Sequence, residues 1–293
     1  RTIVIPAASI TGPEIIIDGG SGDDTLTVDF ALGNFAKTIA YDGGVQNAGD
    51  ALTLAGGGNF ASVNHEFTTA NSGAVLVAGN SPIHYTGLEP ITDHLNASDR
   101  VFTFHGGSET ITLADADGVN MTIDSTLGET VTFASPSGSL TINAGNGDDT
   151  VTISSVDAAF DAALTINGDA GHDTVHLNAD ISFAANENLD VNLSDDATSG
   201  DADSINVGGG VNLATAGTGT IELRASQRVA LAGASSLATE DGSLVVAANQ
   251  QATATSGTFV GLMIDDGSIT TAGGNIDLRG RGDKACRQAR DGL

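Results

Sequence analysis

The 293-residue chain holds no tryptophan, only 4% aromatic residues, a single cysteine, and ten lysines and arginines together. With so few rings, a core has to be built from Val, Ile, Leu and Ala, which suits many thin, similar layers better than one thick centre. The lone Cys286 excludes an intramolecular disulfide framework and leaves packing or metal as the source of stability. Against the ten basic residues stand 37 Asp and Glu, a formal charge of −27. Such a surface repels phosphate backbones, so nucleic acid is excluded as a partner and divalent cations are favoured. No apolar run approaches the roughly 20 residues that cross a bilayer as a helix, and no membrane span is expected. Long amphipathic helices are missing too. Asp157 to Ala163 (DAAFDAA) has room for one helical turn, which argues against a doubly wound α/β fold. The chain opens on Arg1-Thr2-Ile3-Val4-Ile5, with neither an initiating Met nor a signal-peptide pattern, and reads as a mature product or a piece of something longer.

What the sequence has is alternation and self-similarity. GGSGDDTLTV (Gly19 to Val28) returns as AGNGDDTVTI (Ala144 to Ile153) and, more loosely, as GDAGHDTVHL (Gly168 to Leu177). Leu140 to Asn143 (LTIN) and Leu164 to Asn167 (LTIN) lie 24 residues apart, an offset repeated between Ile16 to Asp18 and Ala40 to Asp42. Met121 to Asp124 precedes Asn143 by 19, Phe102 to His105 precedes Asp124 by 19, and Leu189 to Asn192 follows Asn167 by 25. Within each unit a short alternating strand meets a Gly-rich turn and a second strand. Ile142, Val151 and Ile153 then point inward while Thr141, Thr150 and Thr152 point out. A unit with one apolar face cannot bury it alone; stacking units about 4.8 Å apart does so. The expected fold is all-β, a single-stranded right-handed parallel β-helix (β-solenoid) with rungs of about 19–25 residues. A β-sandwich would accommodate the strands but not the 24-residue echo.

Residues 1–13 are expected to form a cap or lead-in strand, and 14–278 the solenoid. Residues 57–100 are an irregular stretch read as an insertion or as loops projecting from the coil. His65, His84 and His94 fall on it, with His105 just beyond. Residues 279–293 read as a disordered basic tail with Arg279, Arg281, Lys284, Arg287 and Arg290. Arg281-Gly282-Asp283 resembles an integrin-binding triplet, too short to assign a partner.

Gly19 to Thr27 fits the nonapeptide G-G-x-G-x-D-x-U-x in full, and Gly145 to Thr152 fits with Ala144 in place of the first Gly. On these residues the chain resembles the repeats-in-toxin family of secreted calcium-binding proteins. The resemblance implies Ca²⁺ held between stacked turns by the sixth-position carboxylates Asp24, Asp149 and Asp173, with Asp148 alongside. Carbonyls near Gly20, Gly22, Gly145, Gly147 and Gly171 would complete the set. Here the nonapeptides occur once per rung instead of in tandem. Because Ca²⁺ takes about six to eight oxygens, 143–150 stacked on 167–174 is a better candidate than the fuller motif at Gly19. The alternative is that Gly supplies positive φ and Asp caps the turn.

The wider pattern of Gly-Asp-Asp-Thr turns between Thr/Val strands, over most of 14–278, resembles the β-strand-repeat regions of large bacterial secreted and surface, adhesin-like proteins. That resemblance implies an extracellular or cell-surface location, a structural or adhesive role, and extracellular glycans or cell-surface components as partners. A second pattern is the Thr-x-Thr series Thr110/Thr112, Thr130/Thr132, Thr150/Thr152 and Thr174, ending at His176. Spaced about one rung apart, these should stack into two outward columns, similar to the face of some ice-binding β-solenoids; Thr is also simply a favoured exposed strand residue.

Catalysis is the third class, with the leaning toward no enzyme. Parallel β-helices host polysaccharide lyases and glycoside hydrolases, so a glycan-active hydrolase or lyase is the runner-up by analogy of fold. No carboxylate pair stands out among so many acids, and a lyase would have to draw its base from Lys37, Arg100, Arg224 or Arg228. There is no G-x-S-x-G elbow. His172 and His176, four apart, fit either a transition-metal pair or plain surface. A loop-built site within 59–105 is the first place to look for a catalytic group.

Overall fold

A computed structural model of the protein describes residues 10–45, 49–194 and 202–282. They form 27 strands and, among the described residues, no helix. The first of two long sheets has 12 strands, from Glu14–Asp18 and Thr38–Asp42 at one end to Leu244–Ala248 and Ile276–Gly280 at the other. The second has 11, from Thr25–Asp29 and Ala51–Ala55 to Arg228–Leu231 and Leu262–Ile264. The chain passes back and forth between the two, and most successive visits to a sheet pair parallel with the one before. A third, four-stranded sheet joins at Ile181–Ala185 and runs through Asn212–Ala216, Ser236–Thr239 and Ser268–Thr271. This all-β, parallel-rich arrangement is consistent with the expected β-solenoid.

The sequence echoes are pairing register. Leu140 lies opposite Leu164, Ile142 opposite Ile166 and Asn143 opposite Asn167. Asp18 meets Asp42 in the same way, and Asn167 meets Asn192. Repeats lengthen where the third sheet enters, as in the pairing of Leu189 with Ile221.

The 19-residue spacing has a different origin. Phe102 pairs with Ile142 and Thr103 with Asn143, 40 residues on. Between them, Asn120–Ser125 runs antiparallel to both Thr110–Asp115 and Gly128–Ala134, forming a meander within the second sheet. A second meander, Asn59–Thr69, Ser72–Val77 and Ile83–Thr86, sits in the first sheet. Residues 57–100 are therefore largely strands, where projecting loops were one expectation. Side chains alternate with period two in either strand direction, so an antiparallel Thr-x-Thr strand is indistinguishable from a rung in sequence.

Inside, the layers are one side chain thick. Leu140, Leu164, Leu189, Ile221 and Leu244 form one fully buried row, and Ile142, Ile166, Val191, Leu223 and Val246 the next. Each such side chain contributes roughly 1.5–3 kcal/mol by leaving water. The scarce rings gather at the meanders, where Phe67 stacks on Phe104 at 4.6 Å and Phe102 lies tilted against Phe133 at 4.8 Å. In the last repeat Ile264, Ile276 and Leu278 occupy rows whose earlier members Leu231, Leu244 and Val246 are buried, yet they are 41–43% exposed. The strand Ile276–Gly280 includes Arg279, which pairs with Asp277 at 2.5 Å, so ordered structure passes the expected boundary at 278. Most of the expected cap and tail, residues 1–9 and 283–293, lies outside the described residues.

Candidate functional site

The Gly-Asp-Asp-Thr corner is where the second sheet begins on each repeat. Thr25 pairs with Ala51, Leu52 with Ile91, and Ile91 with Val131. Beyond the meander Thr110 pairs with Thr150, Thr150 with Thr174, and Thr174 with Ser204. This register brings the acids at the strand starts into a column in two runs, Asp24, Asp50, Glu89 and Glu129, then Glu109, Asp149, Asp173 and Asp203, separated at the meander by the strand that ends in Ser125. Six of the eight are buried, the exceptions being Asp24 and Glu89.

Asp24 and Asp50, and the run from Glu109 to Asp203, are joined by backbone-to-carboxylate hydrogen bonds. The Asp24 N–H donates to Asp50 Oδ1 at 2.6 Å, Glu109 N–H to Asp149 Oδ1 at 2.8 Å, Asp149 N–H to Asp173 Oδ1 at 2.9 Å, and Asp173 N–H to Asp203 Oδ1 at 2.8 Å. Ser226 closes the run, accepting from the Asp203 N–H at 3.0 Å and donating to Asp203 Oδ2 at 2.5 Å. At the meander, Ser125 Oγ donates to Glu109 Oε2. The sixth-position Asp is thus an acceptor for an amide of the preceding repeat at the corner, where the chain changes direction. The glycines let the corners stack: Gly171 has φ 142°, and a Cβ there would lie 1.8 Å from the Gly147 carbonyl oxygen.

Several column oxygens have no hydrogen-bond partner: both of Glu129 and Asp149 Oδ2. Burial, with Glu89 beside it, pushes the Glu129 carboxyl up to about 8. Burial raises Asp149 to about 6, opposed by the Glu109 amide and reinforced by Asp148 and Asp169. Glu109 is raised by burial against the Ser125 hydrogen bond, with Asp149 adding to the rise and the Gly106 backbone opposing it.

The residues expected to hold calcium are distributed along this corner. Asp149 and Asp173 are buried, with one oxygen of each bound to backbone. Asp148 is exposed, and its Oδ1 accepts from the His172 N–H at 3.0 Å. The Gly20 and Gly145 carbonyls accept from Val45 and Ala170 in the next repeat. Gly147 and Gly171 form the stacked turn itself. Among the described residues no three His, Cys, Asp or Glu side chains are grouped to hold a metal. His172 Nδ1 accepts from the Ala202 amide at 2.8 Å, tying it to the next repeat.

The Thr columns are shorter and differently ordered than expected. Thr110, Thr150 and Thr174 are direct neighbours, as are Thr112, Thr152 and His176. Thr130 and Thr132 do not stand between them, because they belong to the outer strand of the meander: Thr132 pairs with Thr122 and Thr92. The longest outward row is instead Thr27, Thr53, Thr92, Thr132 and Thr122.

The four histidines of the irregular stretch separate. His84, His94 and His105 are exposed, whereas His65 is buried on the inner face with Asp93 and Arg100, all three at 0–1% exposure. His65 Nε2 lies 3.0 Å from Asp93 Oδ2, which also accepts from Arg100. The guanidinium donates further to the Ala134 carbonyl at 2.8 Å and to the Leu95 carbonyl, and sits over the Phe133 ring. Burial holds His65 below its ordinary value. Burial alone would raise Asp93, but the His65 hydrogen bond and the Arg100 charge outweigh it and keep the carboxyl low.

Neither this triad nor the full column was anticipated from sequence, though the column left a signal: an acid stands immediately before strand after strand of the second sheet, in DDTLT, GDALT, SETIT, GETVT, DDTVT and HDTVH. On the surface, a cleft of about 400 Å³ is lined by Glu89, Asp124, Ser125 and Thr130 among others. No family model, no curated protein and no solved structure matches the chain.

Proposed function

We propose that the chain is a structural, adhesin-like segment of a secreted or cell-surface repeat protein, folded as a single-stranded right-handed parallel β-helix. The observation that carries this reading is continuity: the same two sheets run from the first described repeat to the last, and one acid corner runs through most of that length. A molecule whose length is added repeat by repeat, each touching its neighbours, is suited to spanning distance and presenting a long lateral face. The right-handed sense is the one that parallel crossovers favour. A charge of −27 suits divalent cations as partners and a hydrated face offered to glycans or cell-surface components.

Calcium is the cation this reading expects, at 143–150 stacked on 167–174, where the outer Asp148 and the second oxygen of Asp149 are the available carboxylate atoms. A site that exists only in the folded state stabilises it by about 2.7 kcal/mol at a hundredfold excess over Kd. The melting temperature should therefore fall on chelation and recover with Ca²⁺. An unmoved melt removes calcium from the reading. Small-angle scattering that gave a round particle, where a rod is expected, would remove the structural role as well.

A glycan-active enzyme is the second reading, favoured by one observation. Glu89 lines the surface cleft, and Glu129, one repeat on, is raised to about 8. An ionised carboxylate beside a protonated one is the pairing that glycoside hydrolysis uses. Glu129 is not among the residues lining that cleft, which places this reading second. Turnover of a polysaccharide that disappears in Glu89→Gln would bring it forward.

A further inference from the structure

We propose that the outward face of the first sheet carries a sugar-binding slot: Val245 and Ala247 are its floor, the Glu222–Arg224 and Asp277–Arg279 pairs its two walls, and a neutral pyranose of a glycan its occupant. The kind of partner is taken from the adhesive reading; the place and the charge of the sugar go beyond it.

The slot follows from register. Glu222 pairs with Val245 and Val245 with Asp277, while Arg224 pairs with Ala247 and Ala247 with Arg279. Ile-Glu-Leu-Arg (Ile221 to Arg224) and Ile-Asp-Leu-Arg (Ile276 to Arg279) thus flank Leu-Val-Val-Ala (Leu244 to Ala247). Ile221, Leu223, Leu244 and Val246 are buried, which turns Glu222, Arg224, Val245 and Ala247 outward. The two walls stand two rungs, about 9.6 Å, apart. Between them the short, uncharged floor side chains leave a cleft of about 340 Å³, lined by Arg224, Val245, Ala247, Gln250, Asp277 and Arg279 among others. Pockets that hold small molecules begin at about 300 Å³.

The walls are formed before a ligand arrives. Arg279 donates to Asp277 through Nε at 2.9 Å and Nη2 at 2.5 Å, and Arg224 donates to Glu222. Gln250 is exposed at one end, with its amide nitrogen on the Ala248 carbonyl at 2.9 Å and its amide oxygen left to accept. A hydroxyl both donates and accepts, so a ring edged with hydroxyls needs donors and acceptors side by side. Guanidinium–carboxylate pairs supply both, as charge-assisted hydrogen bonds. The C–H face of the ring is apolar and suits a floor of Val245 and Ala247. Charge decides against an acidic sugar. The two guanidiniums stand against the carboxylates of Asp190, Glu222 and Asp277, in a chain of charge −27. A carboxylate or sulfate on the ligand would meet an excess of its own sign. Burial and the Glu222 charge raise the Asp190 carboxyl against the pull of Arg224, as expected where acids are in excess.

Saturation-transfer NMR and calorimetry on the whole chain test the slot, with neutral gluco-, manno- and galacto-oligosaccharides as probes and oligogalacturonate as the acidic one. At least one neutral series should bind and oligogalacturonate should not. Arg279→Ala, and Ala247→Leu, which fills the floor without changing charge, should each weaken binding by about tenfold or more. Thr152→Ala, on the outward face of the second sheet, should leave it unchanged. Neutral-sugar binding that survives in both slot variants overturns the slot and spares the adhesive reading. Preference for oligogalacturonate overturns the neutral class. Binding of none of the probes overturns the slot and removes glycans from the adhesive reading, while a rod in small-angle scattering would still uphold the structural role. Should the variants fail to fold, amide shifts of the wild-type protein decide: the bound sugar must move Val245 to Ala247 and Arg279 first, and shifts confined to other strands overturn the slot.

Discussion

Asp93→Asn removes the negative charge from the His65–Asp93–Arg100 cluster while keeping its shape. It strands a guanidinium that is fully buried and whose remaining acceptors are the Leu95 and Ala134 carbonyls. Two unit charges about 4 Å apart attract by roughly 4 kcal/mol at the effective dielectric that fits protein data. Buried pairs broken by removing one partner lose about 3–5 kcal/mol. The expected cost of Asp93→Asn lies in that range and would appear as a lower urea midpoint by far-ultraviolet circular dichroism with little change in slope. Arg100→Lys should also be costly, since an ammonium cannot make the same forked contacts to Asp93, Leu95 and Ala134. The companion triple variant His65→Phe, Asp93→Leu, Arg100→Met replaces the cluster with apolar groups of similar volume, and His65 already stacks on Phe102 at 5.2 Å. That protein is expected within about 1.5 kcal/mol of wild type. An Asp93→Asn cost below about 1 kcal/mol would refute the reasoning, because it would mean that the Arg100 charge is not confined by burial.

Three further outcomes follow from the packing. Gly171→Ala puts a methyl into the Gly147 carbonyl at a φ that side chains rarely adopt, and should cost more than about 1 kcal/mol in chemical denaturation, whereas Gly58→Ala, with open space around it, should be near neutral. Asn167→Ala breaks a side-chain ladder in which Asn167 donates to Asn143 at 2.8 Å and Asn143 to Thr103 at 3.1 Å, an expected loss of about 1 kcal/mol in the same assay. Leu164→Ala opens a cavity in the middle of a buried row and should lower stability by about 2–5 kcal/mol, while Thr150→Lys on the outward face should leave it within about 0.5 kcal/mol.

The parallel pairing was legible because register leaves identical text. Leu-Thr-Ile-Asn at 140 and 164 is a statement that these residues sit side by side, and they do. The meanders were not legible, since direction reversal leaves the alternation intact: Met121 to Asp124 has the pattern of a rung and pairs antiparallel on both sides. The same blindness placed Thr130 and Thr132 in a column to which they do not belong. At the corner, the motif at Gly145 to Thr152 located the turn correctly. The calcium-like wording of that motif hides a simpler regularity, an acid before the strand (Asp149, Asp173, Asp203) whose carboxylate binds the preceding repeat's amide. His65, Asp93 and Arg100 were hidden for another reason. Charged residues at inward positions read as surface in any alternation count, and only pairing across 35 residues of chain makes their burial tolerable.

The acid corner and the triad share strands without reaching each other. Ile91 pairs with Val131, which puts Glu89 and Glu129 two residues to one side of that apolar row and Asp93 two residues to the other. The four residue steps between them span about 13 Å along the strand. Burial and Glu89 alone push the Glu129 carboxyl up to about 8. Asp93→Asn should therefore leave the Glu129 carbon-13 titration midpoint in place, and the double variant with Glu129→Gln should be additive within about 0.5 kcal/mol. A Glu129 midpoint that moves downward would show that the unbalanced Arg100 charge reaches across the Ile91–Val131 row, and would refute the separation.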